Sequence, residues 1–250
     1  MNFHVLTLFP QMITDGFHTS ITGRAMDAGL LSLETVDIRD FSHDKHFKVD
    51  DYTYGGGAGL LMKAGPVCEA YDDLVRRTGH KMRTVYLSPQ GSVFTQKKAA
   101  ELAKETDLCL LCGHYEGVDE RALEELGAEF ISVGDYVLTG GELPALIVMD
   151  AVARLVPGVL HNGESAETES FSDGLLEYPQ YTRPEEFRGR KVPEILLSGD
   201  HGKVDVWRHE ESLRRTARYR PDLLAAYRNA HPDEKMPEDL QERPKGGGCS

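Results

Sequence analysis

Ser132-Val-Gly-Asp-Tyr-Val-Leu-Thr-Gly-Gly-Glu-Leu-Pro-Ala145 is the stretch from which the rest of this 250-residue chain is read. An apolar, strand-like run (residues 128–133) leads into it, and three glycines, Gly134, Gly140 and Gly141, interrupt it. Order resumes at Glu142, with Pro144 where proline suits the first turn of a helix. Apolar residues at helical spacing then run from Leu146 to Leu155. Glycines between a strand and a helix let backbone approach a ligand closely, because no Cβ stands in the way. A long loop with ordinary turn glycines would look the same, so the weight falls on whether the pattern recurs.

It recurs twice upstream. Thr84–Leu87 reads as a strand, Ser88-Pro-Gln-Gly91 as a turn and Thr95–Ala103 as a helix with Thr95 as N-cap. Leu108–Leu111 is a strand, Cys112-Gly-His-Tyr-Glu-Gly-Val118 a turn, and Asp119–Leu126 a helix capped by Asp119. Strands alternating with helices predict a mostly parallel sheet. Ligands of such sheets sit beyond the carboxyl ends of the strands, where all three Gly-bearing turns lie. Nearer the N-terminus, Phe3–Phe9 and Leu31–Ile38 read as strands, and Met12–Phe17, Thr19–Ala28 and Ala64–Thr78 as helices.

Composition is that of a globular protein, with 28% charged and 40% hydrophobic residues. Neither a transmembrane segment nor a signal peptide is read, and four cysteines suggest no disulfide framework, so a cytoplasmic location is expected. Net charge is −13, against a coat for non-specific nucleic-acid binding. Its distribution is uneven: the first 175 residues hold 14 basic and 27 acidic side chains, the remainder 14 of each. A selective RNA or phosphate partner for the C-terminal part stays open.

The polar, acidic stretch 159–173 is the best linker in the chain. Beyond it, 184–187, 193–197, 202–218 and 221–229 read as four helices, and the Pro-, Gly- and charge-rich end as disordered. The resulting division is 1–160 as one α/β domain, 161–175 as a flexible linker, 176–232 as a small helical domain and 233–250 as a disordered tail.

Several residues could carry chemistry. Gly55–Gly59 could cradle a phosphate or be a surface loop; no Lys-Ser/Thr follows, so it is not a Walker A loop. Cys109-Leu-Leu-Cys112 lies in an apolar strand and reads as core rather than as a zinc site. Arg154, among Ala151, Val152, Leu155 and Val156, is either a snorkelling side chain or the fixed positive charge of a site. Arg208, Arg214, Arg215 and Arg218 cluster beside Trp207 and Tyr219, either as a solvated face or as a surface for RNA backbone and exposed bases.

Tyr86-Leu-Ser-Pro-Gln-Gly91, Leu111-Cys-Gly-His-Tyr-Glu-Gly-Val-Asp-Glu-Arg121, Ser132–Ala145 and Leu176-Glu-Tyr-Pro-Gln-Tyr-Thr-Arg-Pro184 together resemble the bacterial tRNA (guanine-N1)-methyltransferases of the SPOUT class. The likeness runs from Phe3 to about residue 232. It implies an α/β fold with a deep trefoil knot in a mostly parallel sheet and a small α-helical C-terminal domain. It implies methylation of N1 of the guanine immediately 3′ of the tRNA anticodon (position 37), with S-adenosyl-L-methionine as donor and Mg2+ as a possible requirement. It also implies a homodimer with shared active sites, the linker ordering over the partner's donor site when tRNA binds. Neither DNA nor a membrane is expected as a partner.

By the same resemblance, Tyr86, Leu87, Ser88, Pro89, Gly113, Tyr115, Glu116 and Gly117 surround the donor, with Val133, Gly134, Asp135, Tyr136, Val137, Leu138, Gly140, Gly141 and Pro144. Gly55, Gly59, Ser165, Arg183, Arg208, Arg214, Arg215 and Arg218 would face RNA. The chemistry has its own requirements. Guanine N1 carries a proton at neutral pH, and removing it puts negative charge on O6. A base near N1 and a positive group near O6 are therefore needed. Arg154 matches the family's arginine. The family's base is an Asp, and this chain has Glu169 at the matching position in Thr168-Glu-Ser-Phe171, with Asp173 in reserve.

Overall fold

A computed structural model describes residues 1–56, 59–160 and 169–240. The chain divides into two compact units, 1–163 and 164–250.

The first unit is built on five strands: β1 (Asn2–Thr7), β2 (Ser32–Asp37), β5 (Arg83–Val93), β6 (Asp107–Leu111) and β7 (Glu129–Ser132). Their order across the sheet is β2-β1-β6-β5-β7, and every neighbouring pair is parallel. Alternation along the strands sends side chains to opposite faces. Phe3, Val5, Val85, Leu87, Leu108, Leu110 and Ile131 face one side. There they pack on α1 (Pro10–Phe17), α2 (Ser20–Asp27), α4 (Gln96–Leu102) and α6 (Glu142–Ala153). Leu6, Tyr86, Cys109 and Leu111 face the other side, against α3 (Ala64–Thr78) and α5 (Glu120–Leu126). A parallel sheet covered by helices on both faces explains why its strands read as nearly continuous apolar runs.

Helix starts follow the capping chemistry of the sequence. Thr95 accepts from the Lys98 backbone N–H and Asp119 from that of Arg121, so both expected N-caps are formed. Pro10, which could have ended β1, instead opens α1 as its first residue. Cys109 and Cys112 fall on opposite faces of the sheet, as an odd spacing requires, so they cannot converge on one ion. Burial pushes the Cys109 thiol up to about 12 and that of Cys112 well above its ordinary value.

The expected strand Thr84–Leu87 is longer. It pairs with β7 through Leu87↔Ile131, bulges over residues 88–91, and pairs again at Ser92↔Ile131 and Val93↔Ser132. At Gly91 a side chain would run into the backbone of Phe130 and Ile131, so glycine is needed where the bulge returns. A short hairpin, β3 (Asp50–Tyr52) and β4 (Leu60–Met62), lies beside the turn after β6: Glu116 N–H donates to Leu60 O and Met62 N–H to Gly117 O, both at 2.9 Å.

The second unit differs from expectation at its start. Residues 184–187 are not a helix. They enter a hairpin of β8 (Glu186–Phe187) and β9 (Arg190–Lys191). Arg188 and Gly189 both have positive φ (53° and 75°), the geometry of a two-residue turn whose twist matches the flanking strands. Residues 194–197 form a single 3-10 turn, and two α-helices follow, α7 (His201–Tyr219) and α8 (Pro221–Ala230). Leu175, Leu213, Leu224 and Tyr227 form the core of this unit. Residues 233–240, expected to be disordered, pack Met236 and Leu240 against that core, and Glu234 accepts from the Tyr227 hydroxyl at 2.8 Å. The remainder of the expected tail, 241–250, lies outside the described residues.

Candidate ligand cleft

At the carboxyl edge of the sheet the bulged turn within β5 and the turns after β6 and β7 converge on one cleft of about 320 Å³. It is lined by every residue expected at the donor except Asp135, together with Gln90, His114, Ile131, Ser132 and Thr139. His114 sits inside a quoted motif, so contiguity with Gly113 and Tyr115 was the available signal for it.

Local hydrogen bonds set the walls. The Ser88 hydroxyl accepts from Gln90 N–H at 3.3 Å, and Ser132 Oγ accepts from Gly134 N–H at 3.2 Å while donating to Gly134 O at 3.1 Å. Such short side-chain loops hold turns that regular structure does not. The turn after β7 then crosses to the end of β6, where Gly141 N–H donates to Gly113 O at 3.0 Å. A Cβ on Gly141 would stand 2.6 Å from Cys112 Cα and 2.9 Å from Gly113 N, so only glycine allows this crossing.

The surface inside is mixed. Leu87, Ile131, Val133, Val137, Leu138 and Pro144 are apolar, the turns supply backbone polar groups, and Glu116 is the carboxylate of the lining. The Tyr86 phenol is shifted up by burial, against a hydrogen bond from Val118 backbone. The Tyr115 phenol is raised by burial and by Asp50. Both stay protonated near neutrality, and the lining includes no cysteine. The cleft is chemically a holder: it can fix an apolar-polar ligand carrying positive charge beside Glu116.

The other expected residues lie elsewhere. Arg154 caps the C-terminus of α6, partly buried, outside the lining of the cleft. Glu169 belongs to the second unit, where its carbonyl accepts from Ser172 Oγ at 2.7 Å. Gly55 is exposed with positive φ, and Gly59 lies against the Glu116 side chain. Ser165 lies outside the described residues. Arg183 is exposed. Arg208 pairs with Asp205 at 3.2 Å and lies over the Tyr178 ring. Arg214 is held by Glu210, Glu211 and Asp239 at 3.0, 2.8 and 3.2 Å. Arg215 and Arg218 are exposed, Arg218 over the Tyr219 ring. No group of three or more His, Cys, Asp or Glu placed to hold a metal ion occurs among the described residues, nor does a helix long and apolar enough to cross a membrane.

Fold and cleft together define a parallel-sheet α/β protein with a cleft suited to a small ligand on glycine-bearing turns at the strand ends. Comparison with known proteins narrows this class. The family model described as tRNA (Guanine-1)-methyltransferase TrmD matches residues 1–226. A tRNA (guanine-N(1)-)-methyltransferase of Lachnospira eligens is 62% identical over 234 residues, covering 94% of this chain and 99% of its own. The enzymes of that name from Lachnoclostridium phytofermentans and Shouchella clausii are 52% identical over 250 residues and 55% over 227. They cover 90% and 91% of this chain, and 91% and 93% of their own length. The chain belongs to the tRNA (guanine-1)-methyltransferase family and is an enzyme of it.

Proposed function

We propose that this enzyme methylates N1 of the guanine immediately 3′ of the tRNA anticodon, with S-adenosyl-L-methionine as donor in the cleft. The observation that carries the reading is the convergence of three turns on one cleft where the Gly141 backbone is pressed against Gly113. Such a cradle suits a flat adenine between apolar side chains, with backbone groups reading its edge. Glu116 complements a ligand that carries an ammonium and a sulfonium. The donor supplies an electrophilic methyl group when bound. The protein's own tasks are then to take the N1 proton, to stabilise O6 and to align N1. Glu169 is proposed for the first and Arg154 for the second. Glu169 places its carboxylate one methylene further from the backbone than the family's Asp, which a small backbone adjustment accommodates.

The trefoil knot belongs to the same reading and is supported by the tight crossing of residues 134–141 over the end of β6. The homodimer is supported by an apolar face on unit 1: Met12 of α1 and Leu143 and Ile147 of α6 are 41%, 48% and 45% exposed, and those two helices pack together. In the dimer the 161–175 segment would complete the site of the partner. Arg183, Arg208, Arg215 and Arg218 are proposed to meet the anticodon stem-loop, and the cytoplasm is where this substrate is made.

The test is methyl transfer from labelled S-adenosylmethionine to two tRNA transcripts differing only by guanine or adenine just 3′ of the anticodon, with and without Mg2+. Label on the guanine transcript alone is expected. Arg154→Ala should abolish turnover while donor affinity stays within about twofold, because a charge used on O6 acts on the transition state. Equal label on both transcripts would refute the target base. Turnover of Arg154→Ala within a few-fold of the parent would refute the role of Arg154.

A further inference from the structure

Glu142 is the most buried carboxylate among the described residues, 2% exposed, and neither its burial nor its partners enter the reaction described above. It opens α6, where the helix N-terminus favours negative charge. Its two oxygens are used separately. Oε1 accepts from the Thr7 hydroxyl at 2.6 Å, and Oε2 lies 2.7 Å from His114 Nε2. A carboxylate can only accept, so Nε2 carries the proton in this pair. Thr7 in turn accepts from the Phe9 backbone N–H at 2.9 Å, and the Phe9 ring lies 4.9 Å from that of His114.

Three chain segments far apart in sequence meet in this network: the end of β1, the turn after β6 and the start of α6. One member, His114, lines the cleft. The remaining space beside it is taken by Gly140, where a Cβ would strike the His114 ring and stand 2.7 Å from Glu142 Oε2. The imidazole is thus fixed on one edge by a buried carboxylate and flanked by an aromatic ring and a glycine.

We infer that His114 is a positioning residue of the donor site, held by the Thr7–Glu142 pair, and that it fixes the cleft wall formed by residues 113–117. The inference rests on the donor-cleft reading given above. The physical reason is the cost of the alternative. If His114 is lost, Glu142 keeps one side-chain donor out of two, and the wall that carried the imidazole loses its tie to the buried carboxylate and is freer to move. The turn that would move carries Gly113, Tyr115 and Glu116, all cleft-lining. The consequence is weaker donor binding, with the chemical step left to other groups.

Calorimetric titration of S-adenosylmethionine, without tRNA, into the parent enzyme and the variants His114→Ala, His114→Gln and Thr7→Val is the test. His114→Ala is expected to bind the donor about tenfold more weakly. His114→Gln, whose amide can still donate to Glu142, should recover to within about threefold of the parent. Thr7→Val keeps the shape and removes one donor from Glu142, so it should fall between the two. In methylation assays the loss should appear in KM for the donor, with kcat at saturation within about twofold. Donor affinity of His114→Ala equal to the parent's would overturn the inference, and so would equal losses in His114→Ala and His114→Gln. Should His114→Ala fail to fold, Thr7→Val and His114→Gln decide by the same criteria. A parent enzyme that takes up no donor would refute the cleft reading itself, whereas parent binding with unchanged variants refutes only the role of His114.

Discussion

Gly141→Ala should destabilise the first unit even though nothing in the local backbone forbids alanine. Gly141 has φ −82°, a conformation any residue adopts. On conformational grounds alone, alanine there would stabilise by about 0.4–1 kcal/mol through the unfolded chain. The added Cβ, however, would stand 2.6 Å from Cys112 Cα and 2.9 Å from Gly113 N. Both are backbone atoms of a buried strand end and cannot rotate away. Overpacking of this kind costs about 1–3 kcal/mol, and with no flexible side chain to yield, the upper part of that range applies. The net expectation is a loss of about 2 kcal/mol, or roughly 4–8 °C in unfolding temperature for a chain of this size. Gly65 provides the control. It lies in the first turn of α3 with nothing within 4 Å of a Cβ, so Gly65→Ala should gain up to about 1 kcal/mol. Unfolding is followed by far-UV circular dichroism. Trp207, the one tryptophan, separately reports the second unit by fluorescence. The steric account of the crossing fails if Gly141→Ala melts at or above the parent temperature while Gly65→Ala moves up.

The arginines of α7 should separate by their partners. Arg215→Ala and Arg218→Ala are each expected to weaken tRNA binding and to reduce its salt slope by about one, whereas Arg214→Ala, whose charge is engaged by three carboxylates, should leave the slope unchanged; filter binding across a salt series measures this. Within the first unit, at the start of β7, burial tends to raise the Glu129 pKa, but hydrogen bonds from Lys98 and Arg83 outweigh it and hold the carboxyl below its ordinary value. A lowered folded-state value means stability present in full above about pH 4.3 and lost as pH falls through the lower value. Urea midpoints of the parent and Glu129→Gln should therefore differ at pH 6 and draw together as pH falls below the ordinary carboxyl range; a gap that stays constant with pH would refute the charge assignment.

The first unit was legible because its strands are buried on both faces and its turns are marked by glycine. The parallel sense of the strands, the N-caps at Thr95 and Asp119 and the placing of three turns at one edge all follow from signals that are local in sequence. What escaped was non-local or ambiguous. The resumption of pairing at Ser92 depends on a partner strand some forty residues on, which no window around residue 88 contains. The run 184–191 carries a proline and charges compatible with a helix start, and only the two positive φ angles at Arg188 and Gly189 distinguish a hairpin. Glu142 stands next to two glycines that were read, yet its partners are 135 and 28 residues away, and a hydrogen bond across strands leaves no spacing to detect.

The same limit governs the basic region. Basic and acidic residues after 175 are equal in number, a balance compatible either with a neutral surface or with an RNA face whose acids lie elsewhere. The fold discriminates residue by residue. Glu210 and Glu211 sit four and three positions before Arg214 on one helix face, a pairing that sequence spacing already permits. Asp239 reaches the same arginine from a segment whose composition suggested disorder. An arginine with three acidic neighbours would have to exchange them for phosphate, so its attraction to RNA is partly spent within the protein. Arg215 and Arg218 are exposed to solvent, and Arg218 already lies over an aromatic ring as it would beside a base. Affinity for tRNA should therefore follow these two exposed arginines rather than the number of basic residues in the helix.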